Sequence, residues 1–545
     1  MTSTHEVTNQ PPPLDGFDPL ACDPALTDAI TRHAAPAPAL TELAREAGSA
    51  TAREHGRLAE RHHPVLHTHD RYGHRIDEVE FHPSWHWLMG RAVAHGLHAA
   101  PWAPGAAPGA HVVRAAGFYL WTQIEAGHGC PLSMTYAAVP ALRHAPELAA
   151  VWEPGLCSRV YDPGLRVSTS KDGLLAGMSM TEKQGGSDVR ANTTTAAPTG
   201  DGAYRLVGHK WFTSAPMNDV FLTLAQAPAG LTCFAVPRVL PDGVRNALRL
   251  QRLKDKLGNR ANASSEIEYD GALGWAVGAE GRGVPTIIEM VSMTRLDCVL
   301  GSASTMRAAL SEAAQHVAHR WAFGARLADA PLMTAVVADL AVECEAATAL
   351  AMRLATAVDA ASVDAAAMDA GERALLRLAL PASKYYVCKR APAVVAEALE
   401  CLGGNGYVEE SGLPRLYREA PLNSIWEGSG NVTALDVLRA LSRNTAPALL
   451  AELDSTAGAH PGLDRAVDVL RAEISDPRPE RARRLAELIA LCMQGSLLLR
   501  HSPTVVADAF LGSRLGADTT GRTLGVLPAG TDARALVERI TPRPA

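Results

Sequence analysis

Asn423-Ser424-Ile425-Trp426-Glu427-Gly428-Ser429-Gly430-Asn431 sets one carboxylate between a bulky aromatic and a run of small residues, just ahead of an apolar helical pattern. A carboxyl packed against an apolar wall loses solvation, and its pKa rises toward values useful to a general base at neutral pH. The small residues after Glu427 leave backbone N–H groups within reach of a ligand. The plainer reading is a helix N-terminus, with Ser429 or Asn431 as cap and the acid near the positive end of the helix dipole. These nine residues admit both readings, and the choice depends on motifs upstream.

The chain of 545 residues is long enough for about three or four domains and a large core. Apolar residues make up 47% and charged residues 20%, as in ordinary globular proteins. A net charge of −7 gives the whole molecule no bias toward nucleic acid or anionic membranes. No apolar run is long enough to span a bilayer, and the first twenty residues lack the basic and apolar regions of a secretory signal. Nine scattered cysteines without a C-x-x-C pair point to reduced thiols in a cytoplasmic protein. Histidines cluster before residue 131, but no H-E-x-x-H or similar spacing accompanies them, so no metal site is expected. No Walker or Rossmann fingerprint stands in a suitable context.

Texture divides the chain into five stretches. Residues 1-36 are proline-rich and read as an extended arm, and 37-173 are mostly helical in pattern. Between 174 and 283, short stretches of strand character (174–180, 204–212, 220–226, 231–236 and 266–269) alternate with turn signals such as Thr199-Gly200-Asp201-Gly202. Helical periodicity returns over 284-445, where Val394, Val395, Ala398, Leu399 and Leu402 share a face and Gly403-Gly404 ends the helix. Residues 446-545 form a further helical region with twelve arginines, no lysine and twelve acidic residues.

Four other segments carry chemical promise. Thr181-Glu182-Lys183-Gln184-Gly185-Gly186-Ser187-Asp188 follows a predicted strand; its glycines permit close backbone approach, and Ser187 can donate to a phosphate oxygen. In Lys210-Trp211-Phe212-Thr213, the indole and the hydroxyl two residues on share a strand face, able to stack on a flat ring and bond its edge. Arg320-Trp321-Ala322-Phe323-Gly324 reads as a helix end with a cation and an aromatic three apart. Gly403-Gly404-Asn405-Gly406-Tyr407 offers a second glycine-rich approach. Each alone also fits a generic turn, a half-buried tryptophan or an amphipathic helix end.

Taken in order and spacing, Thr-Glu-x-x-x-Gly-Ser-Asp, Lys-Trp-x-Thr, Arg-x-x-Phe-Gly, Gly-Gly-Asn-Gly-Tyr and Glu-Gly-Ser resemble the acyl-CoA dehydrogenase superfamily. Met180 through Val189, Arg252 through Arg260 and Asn423 through Asn431 look like its AidB-type, adaptive-response subfamily. The likeness runs from about residue 8 to 443, with a weaker continuation beyond. It implies an α+β fold: a helical N-terminal domain, a central β-barrel-like domain and a C-terminal helical bundle, here with an extra helical C-terminal region. It also implies FAD. By likeness, Met180 and Thr181 would touch the isoalloxazine edge, with Gly186 and Ser187 near the pyrophosphate and Trp211, Phe212 and Thr213 beside the ring. Gly403, Gly404, Ile425, Ser429 and Asn431 would line the rest of the cofactor cleft. Arg320 and Phe323 would reach the cofactor of a neighbouring subunit in a homotetramer.

Glu427 matches the family's base, which takes the proton beside a thioester carbonyl while hydride leaves the next carbon for the flavin. Enolate charge is then stabilised by donors that the family supplies from the backbone N–H of this glutamate and from a ribityl hydroxyl. Some relatives carry their base just before an arginine on an earlier helix; that place is Thr294, before Arg295, so Arg295 is a supporting catalytic candidate only. Glu400 stands where many relatives have Gln and would repel a pyrophosphate; Trp426 stands where many have Tyr and would narrow the acyl pocket toward a short or branched acyl-CoA. The alternative implied by the subfamily is a DNA-associated protective flavoprotein of the alkylation response, with weak or vestigial dehydrogenase activity. Its DNA contact would lie in the C-terminal region, whose charge balance is zero. A nitroalkane-oxidising relative would favour Asp at the base position.

Overall fold

The computed structural model describes residues 5–34, 37–362, 369–516 and 523–542, which gather into two compact units. One unit comprises Thr51–Ala110 and Ile124–Asp297. Its centre is a closed ring of five strands: Val220–Ala227, Thr195–Pro198, Tyr204–Ser214, Ser264–Val277 and Gly230–Pro237, the last pairing back onto the first. Ala176–Ser179 lies parallel to Val220–Ala227, and Leu248–Leu253 lies antiparallel to Ser264–Val277. Closure removes the free edges that a sheet would otherwise expose. Phe221, Leu222, Leu224, Phe234, Val236 and Leu206 are wholly buried, and burial of each such side chain contributes roughly 1.5–3 kcal/mol.

Within the stretch expected to be helical, residues Val65–His69 and Arg75–Glu80 instead form an antiparallel hairpin. Its turn explains why: the Asp70 carboxylate accepts from the N–H groups of Tyr72 and His74, and Gly73 takes φ +89. The hairpin is joined to the barrel by Arg238, whose guanidinium donates to the Asp77 carbonyl at 2.7 Å, and by Asp77, which accepts from Leu250 N–H at 3.1 Å. Helices Ala50–Arg61 (from Thr51), Pro83–Ala94, Gly129–Leu142 and Pro146–Leu156 also belong to this unit.

The other unit comprises Met1–Ala50, His111–Gln123 and Cys298–Ala545. The helix Gly283–His319 gives it the residues from Cys298 onward, followed by the helices Pro331–Ser362, Ala370–Glu400 and Gly430–Leu441. Of the last three, Pro331–Ser362 and Ala370–Glu400 are buried on several faces and Gly430–Leu441 on one, and the helix Ala482–His501 from the C-terminal region packs against all of them. The C-terminal region thereby shares the core of this unit. Two ion networks, the first buried and the second half-buried, tie it down. Arg514 pairs with Asp339 at 2.6 Å and with Glu343 at 2.9 Å, while Arg390 also holds Glu343. Arg353 pairs with Glu372 and Glu452, and Arg500 holds Glu452 from the other side.

The arm is not extended throughout. Residues Pro24–His33 form a helix because Asp23 caps it, accepting from Leu26 N–H, and Pro24 opens its first turn. The Tyr119 hydroxyl donates to the same aspartate at 2.7 Å. Residues 1–4 and 35–36 of the arm lie outside the described residues.

Candidate active site

In the barrel unit, the strand Ala176–Ser179 delivers Met180 and Thr181 into a glycine turn. Gly185 has φ +125, a conformation that side chains rarely adopt. Gly186 passes so close to Thr181 that a Cβ there would sit 2.5 Å from its Oγ1. Gly186 and Ser187 are exposed. Trp211 N–H donates to Thr181 O at 2.8 Å, which brings the Lys-Trp motif onto the Thr-Glu motif.

A buried ion pair lies beneath that join. Glu182 and Lys210 are both wholly inaccessible, with Nζ 2.9 Å from Oε1. Burial alone would raise the carboxyl, but hydrogen bonds from Thr194, Lys210 and the Thr193 N–H outweigh it and hold Glu182 at about 2. Burial lowers Lys210 to about 8, and its ammonium also donates to Leu224 O at 2.7 Å. Both groups are charged at neutral pH. Two motifs read separately in the sequence are one electrostatic unit.

The register of Tyr204–Ser214 slips between Lys210 and Thr213, a bulge that interrupts the alternation assumed for Trp211 and Thr213. Trp211 is half-buried, with Lys254 Nζ 3.6 Å from its ring centroid, and Phe212 is exposed. Thr213 is buried, and its hydroxyl lies 2.5 Å from that of Ser179.

In the helical unit, the turn Leu422–Ser424 leads into the Glu427 loop, and the helix Gly430–Leu441 follows. Glu427 is half-buried and adopts φ +57, the left-handed region, and Gly428 follows at φ +103. Holding a residue with a side chain there costs on the order of 1–3 kcal/mol. Ser429 occupies the N-cap position, yet its side chain makes no capping bond. Trp426 is fixed by its indole N–H, which donates to Asn423 Oδ1 at 2.9 Å. Ile425 and Asn431 are exposed, and Asn431 Oδ1 accepts from Arg483 at 3.3 Å. Arg483 also donates to the Tyr385 hydroxyl, and Lys389 and Arg483 both lie within 6 Å of that ring's centroid.

Arg320 and Phe323 are not on a helix. The helix stops at His319, and Trp321–Ala322 pairs with Ala325–Arg326 as a two-residue hairpin. Phe323 and Gly324 both take positive φ (+54 and +81), the backbone of a tight primed turn that reverses the chain. Phe323 is fully exposed. The arm braces this hairpin: Asn9 Oδ1 accepts from Trp321 N–H at 2.8 Å, its side-chain amide donates to Trp321 O at 2.8 Å, and Arg320 donates to its carbonyl. Gln10 accepts from Asn405 at 3.4 Å, so the arm links the hairpin to the glycine turn. In that turn Gly403 has φ +59 and Gly404 is exposed.

Arg295 is buried on the helix Gly283–His319, and the hydroxyl of neighbouring Thr294 donates to Val291 O. In the C-terminal region, eight of the twelve arginines pair with carboxylates, and Arg522 and Arg543 lie outside the described residues. Reading by motif missed the Glu182–Lys210 pair, and also Lys384, whose Nζ donates to Trp426 O at 2.6 Å and to Gly428 O. Only a lysine within a strongly apolar helical stretch hinted at the latter.

Comparison with known proteins agrees with this geometry. Residues 9–163 match the adaptive response protein AidB N-terminal domain. Residues 177–272 match the acyl-CoA dehydrogenase middle domain, and residues 281–442 its C-terminal domain. The chain is 47% identical to AidB of Escherichia coli (strain K12) over 523 residues, covering 95% of each chain. It is 32% identical to acyl-CoA dehydrogenase family member 11 of Caenorhabditis elegans, over 71% of this chain and 64% of that one. Among solved structures, the apo form of Bd2924 superposes with a TM-score of 0.83 at 30% identity, covering 92% of this chain and all of the other. The Caenorhabditis elegans ACDH-11 complex with C11-CoA superposes with a TM-score of 0.82 at 28% identity, covering 94% and 92%. Motif order, barrel, helical unit and these matches agree: the chain belongs to the acyl-CoA dehydrogenase family of FAD-dependent oxidoreductases, in its AidB branch.

Proposed function

We propose that this protein dehydrogenates a short or branched acyl-CoA, with Glu427 as the base that removes the proton beside the thioester carbonyl. The observation that carries this reading is the left-handed backbone of Glu427. Strain of this kind persists where surrounding structure over-determines it, and it clusters at functional sites. Thr294, at the other position used for a base in some relatives, has a hydroxyl and no carboxylate. An acyl-CoA ligand is supported by the C11-CoA complex of the worm relative. The preference for a small acyl group rests on the bulk and fixed orientation of Trp426.

The residues present fit FAD. Gly186 and Ser187 are exposed at the turn and offer their backbone N–H groups, and Gly186 has no room for a side chain beside Thr181. The helix that begins after Ser429 has no side-chain cap bond, so its first N–H groups and positive end suit an anionic pyrophosphate. Lys389 and Arg483 add positive charge beside Tyr385. Met180, Thr181, Gly186, Ser187, Trp211, Phe212 and Thr213 are the proposed contacts, with Gly403, Gly404, Ile425, Ser429 and Asn431. When bound, FAD accepts the hydride from the carbon next to the deprotonated one. Arg295 is proposed as a buried cation supporting the reaction. A homotetramer is proposed, in which Arg320 and Phe323 reach a neighbouring subunit's cofactor; the full exposure of Phe323 supports it.

The DNA-associated alternative gains no support from the arginines of the C-terminal region, since most are already neutralised by carboxylates. The test is anaerobic mixing of the flavin-loaded protein with a panel of acyl-CoA thioesters. Selective bleaching of flavin absorbance by a short or branched thioester is expected. Glu427→Gln should slow it by about 10²- to 10⁴-fold while flavin is retained. An unchanged rate in that variant overturns the assignment of the base.

A further inference from the structure

We propose that Lys384 is a positioning residue for the proposed base: its buried ammonium holds the loop that presents Glu427. The inference rests on the reading of Glu427 as base. Lys384 lies in the interior of the helix Ala370–Glu400 and is 1% exposed. Its Nζ donates to Trp426 O at 2.6 Å and to Gly428 O, the carbonyls on either side of Glu427. Among the described residues, no carboxylate pairs with it.

A buried ammonium without a counterion is costly unless carbonyl oxygens accept its hydrogen bonds. The two acceptors belong to the peptide units on either side of the Glu427–Gly428 peptide. Charge-assisted bonds to both resist rotation about the Glu427 backbone, which would otherwise relax toward negative φ. The helix around Lys384 is anchored in the core, with Ser383, Val387 and Cys388 buried beside it, so the ammonium is a fixed point. Trp426 is held separately through Asn423. Removing Lys384 therefore frees the glutamate backbone while leaving the aromatic beside it in place. Loss of the nearby positive charge also makes the Glu427 carboxylate harder to ionise.

The experiment compares wild type, Lys384→Met and Lys384→Gln as flavin-loaded proteins. It uses hydrogen exchange on peptides covering 422–432, and anaerobic single-turnover reduction by a thioester that wild type accepts. For Lys384→Met, exchange is expected to accelerate in that peptide alone, and the limiting rate to fall about 10- to 100-fold with half-saturation nearly unchanged. The acid limb of its pH–rate profile should move to higher pH. Lys384→Gln keeps an uncharged NH2 donor group and should recover part of the rate. Should the Met variant fail to fold, the Gln variant decides alone. Wild-type exchange over 422–432 together with a wild-type rate and pH profile, in whichever variant folds, overturns the proposal. If wild type itself is bleached by no thioester, the reading of the base fails, and the exchange data still report whether Lys384 holds the loop.

Discussion

At the scale of single residues, the Glu182–Lys210 pair explains why two motifs 28 residues apart behave as one. Breaking a buried pair by removing one partner costs about 3–5 kcal/mol, because the other charge remains buried. Glu182→Gln is therefore expected to lower barrel stability by about that amount and to weaken flavin retention, both readable in one thermal melt with flavin fluorescence. The pH dependence has a definite sign. Glu182 is held at about 2 when folded, below its ordinary 4.5, so its stabilisation is present above 4.5 and is lost as pH falls toward 2. The variant should show a shallower loss of stability across that window. Gly186→Ala presents a simpler conflict, since the new Cβ would meet Thr181 Oγ1 at 2.5 Å. A cost of about 1–3 kcal/mol is expected, largely relieved when Thr181→Ala is added.

At the scale of elements, the hairpin Trp321–Arg326 shows how a local rule can mislead. Arg320 and Phe323 sit three apart and follow a long helix, so a continued helix is the natural reading. The residue after Phe323 is glycine, however, and a left-handed pair reverses the chain instead. Asn9 supplies a donor and an acceptor that a two-residue hairpin cannot supply alone. Asn9→Ala should cost about 1–2 kcal/mol locally. The expected readout is faster amide exchange over 320–326 with little change in the barrel; unchanged exchange would mean that the arm does not brace the hairpin.

At the scale of the whole molecule, the C-terminal region is part of the helical unit's core. Arg514→Met removes the only residue that bridges Asp339 and Glu343 among the described residues, at an expected cost of about 3–5 kcal/mol. A lower melting midpoint for the helical unit is the measurement; a midpoint equal to wild type would show that this network contributes nothing net.

The sequence by itself determined the family, the order of helices, barrel and helices, and the candidate base. It could do so because glycine turns, strand runs and helix periodicity are local, and because five spaced motifs constrain one another. The hairpin at 65–80 was hidden because its alternation is short and its turn is set by Asp70 and Gly73. Only the tertiary structure decided that Glu182 neutralises Lys210, that Lys384 holds the Glu427 loop from 42 and 44 residues away, and that most C-terminal arginines are already paired. Those facts depend on which side chains meet after long stretches of chain have packed. No local pattern encodes that, because the free energy of a buried charge is set by the partners that packing brings to it.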